Sequence, residues 1–154
     1  MPKKFKILNH GFTLIELLVV ISIIGILATL ITANLNSARS RARDAQRKSD
    51  IKNIETALRL YYNDNGAYPV ASAMPWGAKW NNGSVIYMNM VPKDSLSPSQ
   101  DYQYKIGTYA DSYTSIDNFT LVACLENTSD ASGVTPPSGF SCPSSNNWAF
   151  VISE

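Results

Sequence analysis

Glu16 is the one acidic residue inside a long apolar segment, which runs from Leu14 to Ile31. As a helix, a segment of this length is long enough to cross a bilayer. A carboxylate inside a membrane helix costs roughly 2.5–3.5 kcal/mol on insertion scales, and chains rarely tolerate it without a partner. No other residue of the segment is charged, so the cation that Glu16 requires must come from outside the segment.

Side chains for common covalent catalysis or metal binding are scarce. His10 is the only histidine, and Cys124 and Cys142 are the only cysteines. If the carboxy-terminal half is exported, an intrachain disulfide is expected, which would stabilise the fold by roughly 3 kcal/mol; two unpaired buried thiols are the alternative. With its thiols paired and no histidine, that half has no common nucleophile–base pair. A zinc site is not expected either, because zinc requires four ligands. The sequence therefore predicts neither an enzyme nor a metal centre.

A single long helix is predicted to carry Glu16. The stretch from residue 34 to residue 62 contains neither Gly nor Pro and is rich in strong helix formers. Gly66 is suited to the left-handed position that ends a helix, and Pro69 prevents its resumption. We therefore expect a helix from Phe12 to Tyr62, about 75 Å long at 1.5 Å per residue, with Gly25 as its internal weak point.

Two apolar stripes follow helical spacing along this segment. The first predicts a face that packs on neighbouring helices, and the second, roughly 120° further round, a face that packs on the chain's own globular domain. A kink or register change without functional meaning is the alternative. The first stripe consists of Ile31, Leu35, Ala38, Ala42 and Ala45, and the second of Ile51, Ile54, Leu58 and Tyr61.

The remainder of the chain has the pattern of strands and turns. Residues 101–106, 118–125 and 148–152 are predicted strands, and residues 84–91 are ambiguous between strand and short helix. An antiparallel sheet of three or four strands, laid on the second half of the long helix, accounts for these segments. The predicted fold class is therefore α+β.

Charge is distributed unevenly along the chain. Residues 1–67 have a net charge of +5 and residues 68–154 a net charge of −4. A basic run in the helix is open to three interpretations: a solvated face, pairing with lipid or neighbouring subunits, or DNA binding. The net negative charge of the globular half argues against a nucleic-acid partner. The run consists of Arg39, Arg41, Arg43, Arg47 and Lys48.

The residues Gly11-Phe12-Thr13-Leu14-Ile15-Glu16 resemble the prepilin peptidase site of type IV pilins and type II secretion pseudopilins. A short basic leader precedes them and a long apolar helix follows. The resemblance implies cleavage between Gly11 and Phe12 and methylation of the new amino group on Phe12. It also implies that Glu16 meets the amino-terminal ammonium of an adjacent subunit, since two charges that are each costly alone become tolerable as a pair. The alternative is that the helix dipole favours Glu16 near the helix start and that its side chain reaches the lipid headgroups.

The same resemblance implies a domain organisation and a location. Residues 1–11 form a leader, 12–33 a transmembrane and filament-core helix, 34–66 its extracytoplasmic half and 67–154 a pilin-like globular domain. The precursor is a single-pass protein of the cytoplasmic membrane, and the mature protein an extracellular or periplasmic filament. Charge alone opposes this orientation, because the basic run outweighs the basic leader; the leader motif and the cysteine pair favour it.

Implied partners are prepilin peptidase, further copies of the chain, minor pilins, and pilus or secretion platform proteins. The expected function is a structural subunit of a type IV pilus-like filament. The alternatives are a pseudopilin of type II secretion and a membrane-anchored adhesin in which Trp76, Trp80 and the tyrosines form a sticky surface. The segment from Leu58 to Pro69 is similar to the helix exit of the major pseudopilin, whereas Cys124 and Cys142 resemble the disulfide-closed region of type IV pilins.

No cofactor is expected. Major pseudopilins carry an acidic, Gly-rich calcium loop near the end of the domain, and this sequence contains no clean equivalent. Asp111 and Asp117 offer oxygen ligands of the kind that calcium prefers, but their spacing fits no loop pattern. A solvated turn is therefore the expectation here, with calcium as the alternative.

Overall fold

A computed structural model describes residues 11–108, 112–143 and 147–154. The chain divides into two compact units, the first ending at Ala38 and the second formed by Arg39–Glu154. A long helix, α1, runs from Leu14 to Asn65. The basic leader and His10 lie outside the described residues. Among the residues that are described, no helix is both long enough and apolar enough to span a membrane.

Capping residues define the ends of α1. Thr13 precedes the first helical residue, so α1 begins two residues later than predicted. At the other end, the Gly66 N–H donates to the carbonyl of Tyr62 at 2.7 Å, and Gly66 has a φ of 72°. This is the left-handed conformation that glycine adopts without steric cost after the last helical turn. Because that bond extends the ladder, α1 ends three residues later than predicted.

Five strands follow a short 3₁₀ helix at Ala71–Ala73. They form two antiparallel sheets, a hairpin of β1 with β2 and a three-stranded sheet in the order β3-β4-β5. The bounds are β1 Trp80–Asn82, β2 Val85–Met88, β3 Gln103–Ile106, β4 Phe119–Cys124 and β5 Ala149–Ser153.

The predicted α+β class is confirmed, but the prediction of one sheet is wrong. The segment around residues 84–91 forms β2, whose partner β1 was not predicted. The connection from β2 to β3 contains Pro92 and Pro98, which have no N–H to donate to a sheet ladder. An isolated parallel bridge joins Trp76 to Val91 outside the two strands of the hairpin.

The hydrophobic core of the second unit lies between α1 and the sheets. Ile51, Ile54 and Leu58 are fully buried, as the second stripe predicted. Tyr61, the last member of that stripe, is half-buried and stacks on Trp80 with ring centroids 5.4 Å apart. Every residue of β4 is buried, since β3 and β5 flank it on both edges. By contrast, all five residues of the first stripe are exposed.

Candidate assembly surface

The predicted processing site lies at the start of α1. Gly11, Phe12 and Thr13 precede the helix, and 77% of the Phe12 surface is exposed. A Cβ placed on Gly11 would have no heavy atom within 4 Å. The peptide bond between Gly11 and Phe12 is therefore accessible and outside the helical hydrogen-bond ladder, as a peptidase substrate must be.

Glu16 and Thr13 form a capping box at this helix end. The Thr13 N–H donates to Oε2 of Glu16 at 2.9 Å, and the Thr13 hydroxyl donates to the same oxygen at 2.6 Å. In return, the Glu16 N–H donates to Oγ1 of Thr13 at 3.3 Å. Such reciprocal bonds satisfy backbone donors that the helix itself cannot pair. This role of Glu16 was not predicted, although Thr followed three residues later by Glu is the sequence signature of a capping box.

The apolar first part of α1 presents its side chains outward. Every large apolar side chain described between Phe12 and Ile31 is between 46% and 77% exposed. The hydroxyls of Ser22 and Thr29 donate to the carbonyls of Leu18 and Ile26 at 2.7 Å each. Because these polar groups are satisfied within the helix, the surface suits an apolar environment, either lipid or other apolar helices.

The basic run has a different role from the predicted ones, because most of it contacts the chain's own domain. Arg47 is 1% exposed and lies among three carboxylates. Its Nε and Nη2 donate to the two oxygens of Asp94 at 2.6 and 3.0 Å, while Nη1 donates to Asp44 at 2.7 Å and Glu126 at 2.8 Å. Burial alone lowers the pKa of Arg47, but the bonds to Asp94, Glu126 and Asp44 outweigh it and raise that pKa.

The buried carboxylates around Arg47 are also held by backbone groups. Asp44 accepts the N–H groups of Glu126 and Asn127 at 3.0 and 2.8 Å, and Asp94 accepts that of Leu96 at 2.8 Å. Among the described residues, no buried side-chain nitrogen or oxygen lacks a hydrogen-bond partner. Full pairing of this kind is required, because an unpaired buried charge is strongly destabilising.

Two further members of the basic run are paired at the rim of this cluster. Arg43 donates to both oxygens of Glu126 at 2.7 and 2.5 Å, and Lys48 contacts Asp130 at 2.5 Å. Hydrogen bonds from Arg43, and to a lesser extent from Arg47, hold the pKa of Glu126 below its usual value. The interpretation of the run as a solvated, lipid-binding or DNA-binding face is therefore wrong for Arg43, Arg47 and Lys48.

The second half of α1 has one more buried acidic contact. Asp50 accepts the hydroxyl of Tyr102 at 2.7 Å and the amide of Gln46 at the same distance. Burial, reinforced by the bond to Asp50, raises the pKa of Tyr102, which therefore stays protonated as a donor. Through Asp44, Arg47 and Asp50, α1 makes polar as well as apolar contacts with the rest of the domain.

A disulfide joins the two cysteines, with the Cα atoms 5.5 Å apart. It ties the loop after β4 to the last residue of that strand. Gln103 of β3 holds the same loop, since its amide donates to the carbonyl of Ser141 at 2.6 Å and accepts the Ser141 N–H at 3.1 Å. The sequence predicted the pairing of Cys124 with Cys142 but not the support from Gln103.

The calcium and adhesion alternatives involve residues elsewhere in the globular domain. Asp111 lies outside the described residues, and Asp117 accepts the hydroxyl of Tyr62 at 3.3 Å. Within the described part of the chain, no group of three or more His, Cys, Asp or Glu side chains could hold a metal ion; the calcium alternative stays a prediction. Trp80, suggested for an adhesive surface, is 4% exposed and belongs to the core.

A long amino-terminal helix, with its exposed apolar part and with small antiparallel sheets packed on its later turns, defines the pilin-like class of proteins. A family model described as "Prokaryotic N-terminal methylation motif" matches residues 8–32. No solved structure matches the chain.

Three relatives of the chain have the description type II secretion system core protein G. The protein of Vibrio cholerae is 35% identical over 123 residues, which cover 73% of this chain and 80% of the relative. That of Aeromonas hydrophila is 35% identical over 110 residues, covering 60% and 76%, and that of Pseudomonas aeruginosa 36% identical over 107 residues, covering 62% and 72%. The chain belongs to the type II secretion pseudopilin family represented by core protein G.

Replacement of Arg47 by Met should destabilise the second unit by about 3–5 kcal/mol, because Asp44 and Asp94 would be left buried without their cation. Urea unfolding of residues 39–154 measures this loss. Arg39→Met is the matched control: Arg39 is exposed and has no ion pair among the described residues, so its loss should change stability by less than about 0.5 kcal/mol. Equal effects of the two substitutions would contradict the role of Arg47.

Stability of the second unit should fall in acid. Lys48 and then Ser132 lower the pKa of Asp130 from 3.8 to about 2, and the pKa of Glu126 is also lowered. A carboxylate with a lowered folded-state pKa contributes stability that is present above its unfolded-state pKa and is lost as the pH falls through its folded-state value. We expect the urea midpoint to decrease progressively from pH 5 to pH 2, and less steeply in Asp130→Asn. A constant or rising midpoint over this range would exclude the proposed ion pairs.

Proposed function

We propose that this chain is a structural subunit of a type II secretion pseudopilus. Its precursor is held in the cytoplasmic membrane by the apolar part of α1, with the second unit on the extracytoplasmic side. Prepilin peptidase cleaves it between Gly11 and Phe12, the new amino group of Phe12 is methylated, and the product joins a periplasmic filament. The observation that carries the proposal is the similarity to core protein G over three quarters or more of the Vibrio and Aeromonas proteins.

The proposed partners follow from this role. They are prepilin peptidase, further copies of the chain, minor pilin-like subunits and the proteins of a secretion platform. The exposed apolar surface of α1 supports assembly through packed helices, since such a surface must be covered by lipid or by other apolar groups. The role is structural and needs no catalysis by this chain.

A type IV pilus is the second candidate function. The disulfide between Cys124 and Cys142 supports it, because it resembles the disulfide-closed region of type IV pilins. Both candidates use the same processing and the same helix, so they differ in what the filament serves rather than in how it is built.

Deletion of the gene separates the two candidates. If the chain is a secretion pseudopilin, we expect exported proteins to accumulate in the periplasm while surface pili remain, and the wild-type gene should restore secretion. Fractionation and electron microscopy of the same cultures measure both properties. Normal secretion with loss of surface pili would overturn the secretion role in favour of the pilus.

Glu16→Gln should block assembly without blocking processing. Gln at this position can still complete the capping box with Thr13, so the substitution removes only the charge that we propose pairs with the Phe12 ammonium of a neighbour. Mass spectrometry should still find methylated Phe12 at the amino terminus, whereas the filament yield should fall at least about tenfold, because an unpaired ammonium in an apolar environment is strongly unfavourable.

Ser22→Ala is the control for this experiment, since it changes a polar residue in the same helix without changing its charge. Filaments of Glu16→Gln at the wild-type yield would refute the pairing. An intact leader in the wild-type protein would refute the processing.

A further inference from the structure

Some basic side chains of α1 take no part in the ion pairs with Asp94, Glu126 and Asp130. Arg41 and Lys52 are exposed, and neither has an ion pair among the described residues. They lie eleven residues apart, so at 100° per residue they differ by only about 20° around the helix. With Lys48 and the exposed Ala45 and Ser49 they line an open pocket, beside Asp130, which pairs with Lys48. Arg41, Ala45, Ser49 and Lys52 are hereafter called the basic face.

One acidic side chain is unpartnered in the same unit. Asp101 is exposed, and the structure shows no hydrogen bond or ion pair for its carboxylate. It lines a cavity of about 440 Å³, hereafter the Asp101 pocket. The aromatic rings of Trp76 and Tyr102, whose centroids are 6.2 Å apart, form part of its wall. The full lining is Trp76, Lys93, Ser97, Pro98, Asp101 and Tyr102.

The composition of the Asp101 pocket favours an incoming cation. A carboxylate supplies the charge, and an aromatic face attracts Lys or Arg by a cation–π interaction. Lys93 is the one resident cation, and its aliphatic carbons lie over Gly77, where a Cβ would be 2.6 Å from Lys93 Cε. The structure shows no salt bridge between Lys93 and Asp101, so the Asp101 carboxylate is available to a partner.

The basic face points away from the side of α1 that Tyr102 of the Asp101 pocket contacts. Tyr102 reaches α1 at Asp50, to which its hydroxyl donates. Asp50 is about 180° from Arg41 and about 160° from Lys52 around the helix, and along the axis it falls within the span of the basic face. A contact between these two different surfaces is heterologous, and heterologous contacts propagate into helical filaments when they do not close into rings.

We propose that the basic face of one copy docks into the Asp101 pocket of a neighbouring copy. Lys52 or Arg41 enters the pocket beside Asp101 and over the Trp76 ring, and the small side chains of Ala45 and Ser49 allow the neighbour's surface to approach closely. This inference rests on the proposed filament function and adds to it the surfaces that place adjacent domains side by side.

Charge exchange tests the contact in the full-length chain, produced with the peptidase and assembly proteins that process it. Arg41→Glu with Lys52→Glu should lower the filament yield about fivefold to tenfold, and Asp101→Lys should lower it by a similar factor. Each of these variants places like charges next to each other across the interface, which is unfavourable. The three changes combined should restore most of the yield, because the pair is then reversed rather than broken. Lys79→Glu, at an exposed cation outside both surfaces, should have no effect.

A cross-link tests the same contact without relying on charge. Lys52→Cys with Asp101→Cys should give a ladder of disulfide-linked oligomers in assembled filaments, whereas Lys79→Cys with Asp101→Cys should not. Lys93→Gln should leave the yield unchanged or increase it, since Lys93 competes with the incoming cation. If the charge reversals leave the filament yield at the wild-type level, or if Lys52→Cys with Asp101→Cys gives no ladder, the docking is overturned and the filament function is unaffected. A processed wild-type chain that forms no filament would overturn both.

Discussion

The buried guanidinium of Arg47 is the interaction on which the rest of the second unit depends. It joins one side chain of α1 to Asp94, which follows the β1–β2 hairpin, and to Glu126, which follows β4. The apolar core alone would attach the helix to the sheets, but hydrophobic contact has no directional preference. Two charge-assisted hydrogen bonds to Asp94 and one to Glu126 add the specificity, and they fix both the rotation and the axial position of the second half of α1 against the sheets.

The charge asymmetry of the sequence has its physical explanation in this cluster. The helix has an excess of basic residues, and the segment after it has an excess of acidic residues. Arg43, Arg47 and Lys48 of the helix form ion pairs with these acidic residues within one chain. Arg41 and Lys52 take no part in these pairs and stay exposed on the helix. At the other end of α1, the carboxylate of Glu16 completes a capping box but has no ion pair among the described residues. Paired charges thus hold the second unit together, and the contacts that we propose with other copies use Glu16, Arg41 and Lys52.

Much of the architecture could be predicted because it follows from local patterns. Gly66 and Pro69 marked the end of the helix, the spacing of Ile51, Ile54 and Leu58 marked its buried face, and the leader motif indicated the family. The β1–β2 hairpin was missed although a signal was present. Asn82 pairs with Val85, so Gly83 and Ser84 form a two-residue loop in which Gly83 has a φ of 57°, as glycine at the first position of a two-residue hairpin loop favours.

The ion cluster could not be predicted, for a different reason. Arg47 and Asp94 are separated by 47 positions and Arg43 and Glu126 by 83, and no periodicity relates residues so far apart in the sequence. In addition, a basic run on a helix has the same pattern whether it faces solvent or a buried carboxylate. Only the tertiary fold distinguishes Arg47, which is 1% exposed, from the exposed Arg41 six residues before it.

A helical reconstruction of the assembled filament by electron cryomicroscopy, at a resolution that shows side chains, tests this division of charges most directly. The account predicts that each Arg47 contacts Asp94 of its own chain, and that each Glu16 carboxylate lies within hydrogen-bond distance of the Phe12 amino group of a neighbouring copy. Glu16 without a neighbouring cation, or Arg47 paired with a carboxylate of another copy, would contradict it.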